Sequence, residues 1–425
     1  MTRQEKEQAI DAMFDRGTIV EVLPSKEELR ERLLSGEKVR VKFGIDPTSP
    51  NIHIGRAVPL LALRDLQNIG CEVVLIVGDF TGQIGDTSDK DSERPMLSEQ
   101  VVKENMTSYL EQAFAILDKE KTFVFHNSSW LGSLTLRHIG EISTLFSLAE
   151  FISRENIKKR LDAGKRISLR ELLYPLMQGY DSFVVGADIE VGGTDQRFNM
   201  LAGREIQRDY SAGSFQTDEL DAFLKKSGFF VMRSRQKERP QCVLMNGLIE
   251  GIDGRKMSSS WGNTINIIDT PREMFGKTMR IPDEFIETYF RFCTRMPMEE
   301  IEKILEVNDP RSAKIRLAKE LVRMYHNAEM AEEEERFFVE TFSNRSVDAE
   351  KLESIRVASG ETLVDVLVAH TLASSRGDAR RKIEQGGVSI DGEKMTDATL
   401  VISKAMNGAV LRVGKKRFVK LEVAA

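Results

Sequence analysis

The sequence predicts an α/β protein built on a parallel sheet, followed by an all-α domain and a small α+β domain. Three observations carry this expectation. VRVKFGID, a segment with leucines at helical spacing, and CEVVLIVGDF succeed one another, which is the strand, helix, strand order of a parallel βαβ unit. The chain is helical in pattern from Pro282 to about Phe342, and its last sixty-odd residues end in three short β runs. A length of 425 residues holds about three average domains.

The elements follow in order. Residues 1–39 read as an N-terminal helical lead-in, in which Ser25 followed by Glu28 makes a capping box. Residues 40–281 form the expected parallel-sheet domain. Its first helix is entered through Pro47-Thr48-Ser49-Pro50 and carries Leu60, Leu61, Leu63 and Leu66. Val73 to Val77 shows no alternation, as expected for a strand covered on both faces of a parallel sheet. Ser98 to Glu171 is mainly helical, DSFVVGADIEVGG returns to short β pieces, and Arg208 to Pro240 resists assignment. Residues 282–345 make the helical domain, with Asp309 as N-cap and Pro310 at the first helical position. Residues 346–360 read as a linker, and 361–425 as the small C-terminal unit.

Composition narrows the class. The chain is 41% hydrophobic and 30% charged, an ordered globular mixture rather than a disordered one. Its longest purely apolar run, Val73 to Val77, falls far short of the roughly twenty residues of a membrane span. No membrane association is expected, and the doubly charged N-terminus lacks an export signal, so a cytoplasmic location is expected. Cys71, Cys242 and Cys293 are far apart and read as reduced core thiols, neither a disulfide framework nor a zinc site. Net charge is −6, yet residues 361–425 carry 11 Lys and Arg against 8 Asp and Glu.

A Walker A loop is excluded, because the one Gly-Lys-Thr, at Gly276, has Pro271 where its leading glycine belongs. No GxGxxG follows a strand and no HExxH occurs. GIDPTSPNIHIGR, Gly44 to Arg56, lies between the first strand and first helix of the βαβ unit, where open sheets bind ligands and a helix N-terminus attracts phosphate. His53 can donate to a phosphate oxygen, and Gly55 leaves room for a flat base. Gly254 to Ser260 (GRKMSSS) offers a lysine and three hydroxyls to a polyphosphate. Alone, each has a bland reading: a histidine on a turn, a solvated serine loop.

Together, HIGR and KMSSS resemble the paired HIGH and KMSKS signatures of class I aminoacyl-tRNA synthetases. YPLMQGYD (Tyr174 to Asp181), GGTDQRFN (Gly192 to Asn199), IGDTSDKDSERP, NDPRSAKIRLAKELV and SSRGDARRKIEQGGVSIDGEK resemble segments of bacterial tyrosyl-tRNA synthetases. The resemblance covers about 40–425 in family order. It implies a Rossmann-like nucleotide-binding catalytic domain of the class I synthetase type, a helical anticodon-side domain, and an alpha-L RNA-binding domain. The implied activity is tyrosine-tRNA ligase, with L-tyrosine, ATP and tRNA(Tyr) as substrates and partners, Mg²⁺ accompanying ATP, and no tightly bound cofactor or structural metal.

Carried over position by position, Asp86, Tyr174 and Gln178 are expected at the tyrosine ammonium, and Asp181 at its phenol hydroxyl. Gly193, Asp195 and Gln196 are expected at the adenylate ribose and the tyrosine carboxyl, with Gly44, Asp46 and Gly55 lining the nucleotide. Thr48, His53 and Lys256, with Met257, Ser258, Ser259 and Ser260, are expected at the phosphates. Lys90 and Arg94 match a basic loop that holds leaving pyrophosphate. Arg376, Arg380, Arg381, Lys382, Lys415, Lys416 and Arg417 are the expected tRNA contacts. An insertion at about 120–160, with Trp130 to Asn156 at its heart, resembles the family's dimerisation segment and implies a homodimer.

Three departures stand out. Arg56 replaces the usual final His of HIGH, and Ser259 the second Lys of KMSKS. The first strand reads Val41-Lys42-Phe43-Gly44, without the tyrosine that in many relatives is a second partner for the substrate hydroxyl. Gly193 and Lys256 lie 63 positions apart, with the excess in Ser211 to Pro240. Tryptophan-tRNA ligase, a small-molecule nucleotidyltransferase and an inactive RNA-binding paralogue remain as alternatives at this point.

Overall fold

The computed structural model describes residues 1–86, 96–209, 222, 225–226, 238–343, 352–391, 393–414 and 417–424, without the side chains of residues 99, 342 and 343. The chain divides into two compact units, Met1–Ala331 and Glu332–Ala425.

The first unit is built on a six-stranded sheet of β1 (Ile19–Leu23), β2 (Arg40–Ile45), β3 (Glu72–Val77), β4 (Thr122–His126), β5 (Ile189–Gly193) and β6 (Cys242–Asn246). Their order is β1-β6-β5-β2-β3-β4. All neighbours pair in parallel except β1, which runs antiparallel along β6. Strands β2, β3 and β4 step outward one way, and the chain then returns to lay β5 on the other side of β2. That reversal opens a crevice at the carboxyl ends of β2 and β5, the usual ligand position in such sheets.

Local chemistry explains the elements. Val73, Val74, Leu75 and Ile76 are at most 1% exposed, which matches an apolar run covered on both faces. The helix Ile54–Asn68 starts on His53 as N-cap and buries Leu60, Leu61, Leu63 and Leu66 against the sheet. The helix Leu169–Val185 is closed by a capping box of Ser168 and Glu171 and stops at left-handed Gly186. Cys71, Cys242 and Cys293 are all buried thiols. Among the described residues no helix is long and apolar enough to cross a membrane.

The structure departs from the helical lead-in at one point. Residues 3–15 and 26–34 are helical, but β1 between them adds an edge strand. Ile19 and Val22 are its buried residues, too few to stand out against the flanking charges. The capping box at Ser25 is also incomplete. Ser25 accepts from the Glu28 amide, whereas the Glu28 carboxylate turns to the fully buried Arg32 at 2.9 Å.

The segment after β6 is helical as expected, through Pro271–Thr278, Ile286–Cys293, Met298–Glu306 and Pro310–Tyr325, the last capped by Asp309. It packs within the first unit. Arg16 donates to the carbonyls of Arg291, Thr294 and Met296 at 3.3, 3.2 and 2.8 Å, and Arg295 pairs with Asp65 at 2.8 Å.

The second unit holds five strands, β7 (Ser354–Ala358), β8 (Val388–Ile390), β9 (Glu393–Met395), β10 (Val410–Val413) and β11 (Arg417–Ala424), in the order β7-β11-β10-β8-β9. Two helices, Leu363–Ala369 and Arg376–Glu384, contribute Leu363, Val366, Leu367, Ala379 and Ile383 to its core. Strand β7 lies in the stretch read as a linker and pairs parallel with β11. Its alternation of buried Ile355 and Val357 is only two residues long.

Arg16→Met removes three charge-assisted bonds to carbonyls, each of a kind that contributes about 1.5–3 kcal/mol. It should lower stability to urea by about 2 kcal/mol or more and speed amide exchange around Cys293. Unchanged exchange there would show that Arg16 does not hold this segment.

Candidate active site

A cavity of about 780 Å³ opens where β2, β3 and β5 end. Gly44 and Asp46 come from β2, Gly78 from β3, and Gly192 and Gly193 from β5. Every described residue that the sequence assigned to ATP or tyrosine lines it, although the two signature segments lie two hundred positions apart. Lys90 and Arg94 lie outside the described residues, as does nearly all of the stretch from 211 to 237.

His53 sits at one wall, 6% exposed. Its Nδ1 accepts the backbone N–H of Arg56 at 3.3 Å as the helix cap, so the ring hydrogen resides on Nε2. Burial pushes its pKa down to about 3, and the charges of Arg56 and Lys256 push the same way. His53 is therefore a neutral donor at pH 7. Positive charge comes from its neighbours. Arg56 donates to Tyr109 Oη at 3.0 Å, Ser49 Oγ at 3.4 Å and Thr48 Oγ1 at 3.4 Å. Because Thr48 accepts there, its single hydrogen is left for another acceptor.

Lys256 rests on Asp195 Oδ2 at 3.3 Å. Its loop is stitched by buried Asn263, whose Oδ1 accepts from the Ser258 amide and whose Nδ2 donates to Asp253 and to the Lys256 carbonyl. Gly193 is required here, since a Cβ would lie 2.5 Å from Asp195 Oδ1.

The opposite wall is organised by two carboxylates. Asp46 accepts from Thr81 Oγ1 and from Tyr174 Oη, both at 2.7 Å. The bond to Thr81 crosses Gly78, where a Cβ would stand 2.0 Å from the carboxylate. With its proton given to Asp46, the Tyr174 hydroxyl presents lone pairs to the cavity, and burial among carboxylates raises its pKa well above the ordinary value. Asp181, 4% exposed, accepts from Trp130 Nε1 at 2.7 Å and Asn127 Nδ2 at 3.2 Å. Burial pushes its pKa up to about 7, against the opposing pull of Lys42 and of those two bonds.

The profile described as tRNA synthetases class I (W and Y) matches residues 34–343, and that of the tyrosine-tRNA ligase SYY-like C-terminal domain matches residues 346–421. A curated tyrosine-tRNA ligase of Moorella thermoacetica is 39% identical over 98% of this chain and 97% of its own. One of Thermotoga maritima is 40% identical over 94% of each. The chain belongs to the tyrosine-tRNA ligase family. Solved structures share the fold: an Aspergillus nidulans mitochondrial tyrosyl-tRNA synthetase at TM-score 0.63 and 22% identity covers 80% of this chain and 97% of its own. An Archaeoglobus fulgidus tyrosyl-tRNA synthetase complexed with L-tyrosine follows at 0.55 and 22%, covering 79% of this chain and all of its own.

Against the family pattern, the departures acquire a geometry. Arg56 is built into the cavity wall between Thr48 and Tyr109. Lys42, two residues before Gly44 on β2, does not line the cavity but forms a fully buried pair with Glu190 at 2.5 Å. Asp181 has Trp130 and Asn127 as partners, and sequence reasoning missed both. Trp130 opens the segment that resembles the family's dimerisation segment, and its own side chain is 2% exposed. No spacing signal links residues some fifty positions apart in chain order.

In the second unit of this family member, Arg376, Arg380 and Arg381 are exposed on one helix, Arg376 pairing with Asp365 and Lys382 with Asp378. Arg417 donates to the Thr371 carbonyl at 2.6 Å. Lys415 and Lys416 lie outside the described residues.

Two predictions follow from this geometry. Asp181 accepts a phenol proton best as the carboxylate, which forms above about pH 7. Tyrosine affinity should therefore fall as pH drops from 8 to 6, while phenylalanine binding should not. Asp181→Asn should flatten that dependence and narrow the preference for tyrosine by about tenfold to a hundredfold, the size of one charged hydrogen bond. Separately, His53→Ala or Lys256→Ala should slow activation by about 10²-fold or more with little change in tyrosine affinity, as for a lost preorganised donor. A parallel fall in tyrosine affinity would remove either residue from the phosphate side.

Proposed function

We propose that this cavity activates L-tyrosine with ATP and passes the tyrosyl group to the terminal ribose of tRNA(Tyr). The observation that carries the reading is Asp181, a buried carboxylate with a raised pKa at the closed end of a cavity whose other wall gathers Arg56, His53 and Lys256. The profile covers both tryptophan and tyrosine enzymes. The buried acceptor and the curated relatives' names favour tyrosine.

In the first step the tyrosine carboxylate, ionised at pH 7, attacks the α-phosphorus of ATP. A carbon-oxygen-phosphorus linkage forms, and the bond to the bridging oxygen of pyrophosphate breaks. The protein activates no nucleophile of its own. Asp86, Tyr174 and Gln178 hold the ammonium, and Gln196 the carboxyl end. Thr48, His53, Arg56 and Lys256 meet the negative charge that grows on the leaving pyrophosphate. Asp195 releases Lys256 to the phosphates. Mg²⁺ would enter with ATP and supply further charge neutralisation. In the second step the ribose hydroxyl attacks the activated carbonyl and AMP leaves.

The exposed arginines of Arg376–Glu384 and the basic end of β11 support tRNA binding by the C-terminal unit, and residues 282–345 serve as the anticodon-side segment. A homodimer is supported by an outer apolar set: Leu136, Leu148 and Leu169 are 85%, 63% and 78% exposed. These residues begin six positions beyond buried Trp130.

Tyrosine-dependent exchange between ATP and pyrophosphate tests the first step, and tryptophan-dependent exchange would overturn the assignment. A chain ending at Ser343 should keep that exchange while charging tRNA poorly at low concentration, and full-length affinity for tRNA should fall steeply with salt. Light scattering should give twice the 48.1 kDa chain mass.

A further inference from the structure

Lys42 and Glu190 are register partners on adjacent strands β2 and β5, each at most 1% exposed. The mechanism above uses neither. Glu190 Oε1 accepts from Lys42 Nζ at 2.5 Å and from Gln178 Nε2 at 3.1 Å. Gln178 Oε1 in turn accepts from Asn199 Nδ2 at 3.1 Å. The other N–H of Asn199 serves Gln196 Oε1 at 3.0 Å, and Gln196 Nε2 donates to Asp86 Oδ2 at 2.7 Å. The chain of bonds thus runs from one carboxylate to another through three amides, with buried Asn199 in the middle.

Its direction is fixed by chemistry. A carboxylate only accepts, so each end demands an N–H from its glutamine. Both glutamine oxygens must then face Asn199, which has two N–H donors to satisfy them. Turning Gln178 over would set its oxygen against the buried Glu190 carboxylate and its N–H₂ against that of Asn199. A carbonyl oxygen accepts twice, so Gln178 Oε1 keeps one lone pair on the cavity side.

We propose that Lys42, Glu190 and Asn199 are positioning residues that lock the side-chain amide of Gln178 with its oxygen toward the α-ammonium of the amino-acid substrate. The proposal rests on the reading that Gln178 meets that ammonium. Lys42 makes the lock possible, because it supplies the counter-charge that lets Glu190 remain an acceptor in a dry interior.

The test compares equilibrium binding of tyrosine with that of its des-amino analogue, in which hydrogen replaces the ammonium, using the full chain. Glu190→Met removes the obligatory acceptor while keeping about the same length of side chain. It should weaken tyrosine by about tenfold, as for one lost bond to a charge, and leave the analogue within about twofold. Equal weakening of both ligands, or of neither, overturns the lock. Gln178→Ala separates the two readings. If it leaves the ratio of the two affinities unchanged, Gln178 does not meet the ammonium. If it lowers the ratio and Glu190→Met does not, only the lock fails.

Should Glu190→Met not fold with Lys42 left buried and unpaired, the chain carrying both Lys42→Met and Glu190→Met removes the two charges together and takes its place. The unaltered chain gives a check that no substitution can spoil, from NMR of the Gln178 side-chain amide. A locked N–H₂ exchanges slowly with solvent, both before and after tyrosine binds. Fast exchange in the unliganded chain overturns the proposal.

Discussion

A cation and a carboxylate bonded at the centre of a sheet constrain everything around them. Burying the Lys42–Glu190 pair costs several kcal/mol per ion unless every remaining lone pair is met. Here they are met: Glu190 Oε2 accepts from Ser182 at 2.8 Å and Gln241 at 2.6 Å, completing what Lys42 and Gln178 begin on Oε1. Those four donors come from β2, from two turns of the helix Leu169–Val185, and from the residue before β6. One carboxylate on β5 therefore ties together the strands on either side of it and the helix above. A shift of any of them would leave a buried charge short of a partner, which is why the crevice between β2 and β5 holds its shape.

From that fixed floor the cavity divides into the two walls proposed for the amino acid and for the phosphates. The amino-acid wall is dry and directional: Asp181 between Trp130 and Asn127, Tyr174 committed to Asp46, the amide chain committed at both ends. Selection between similar side chains needs such a wall, because an unpaired buried acceptor rejects a ligand lacking the matching donor. The phosphate wall is wetter and carries its charge on longer side chains. His53 contributes no charge at neutral pH, and its cap to Arg56 fixes which nitrogen donates. The positive charge belongs to Arg56 and Lys256. Arginine in the first turn of a helix opposes the helix dipole, a local cost that an anion in the cavity offsets.

The sequence made some of this legible and hid the rest for identifiable reasons. The βαβ unit showed because Val73 to Val77 lacks alternation and the preceding helix buries four leucines. Strands β1 and β7 did not show, since each has only two buried residues among charged neighbours. The residues lining the cavity came from ordered motifs and not from periodicity. Asn127, Trp130, Thr81, Asn199 and Glu190 act through contacts between distant segments, and no spacing in the chain announces them. The half-formed capping box at Ser25 has the same origin. Glu28 could have closed it, but the buried Arg32 guanidinium, which also holds the carbonyls of Asp188 and Pro240, is the stronger claimant.

The insertion between β4 and β5 joins the two subjects of specificity and assembly. Its first residues, Asn127 and Trp130, face inward and hold Asp181. Six positions after Trp130, Leu136 begins the exposed apolar set that runs to Leu169. Arg154 closes the far side, lying 4.9 Å over the ring of Phe198 and 5.8 Å over that of Phe151, and Phe198 directly precedes Asn199 of the amide chain. The helices between β4 and β5 thus hold Asp181 directly and pack on Phe198, the neighbour of Asn199, while presenting leucines outward. Covering those leucines with a second copy would remove water from the outer face of the same elements that fix Asp181 and Asn199. Under the proposed pairing, assembly and amino-acid selection would rest on one body of packing.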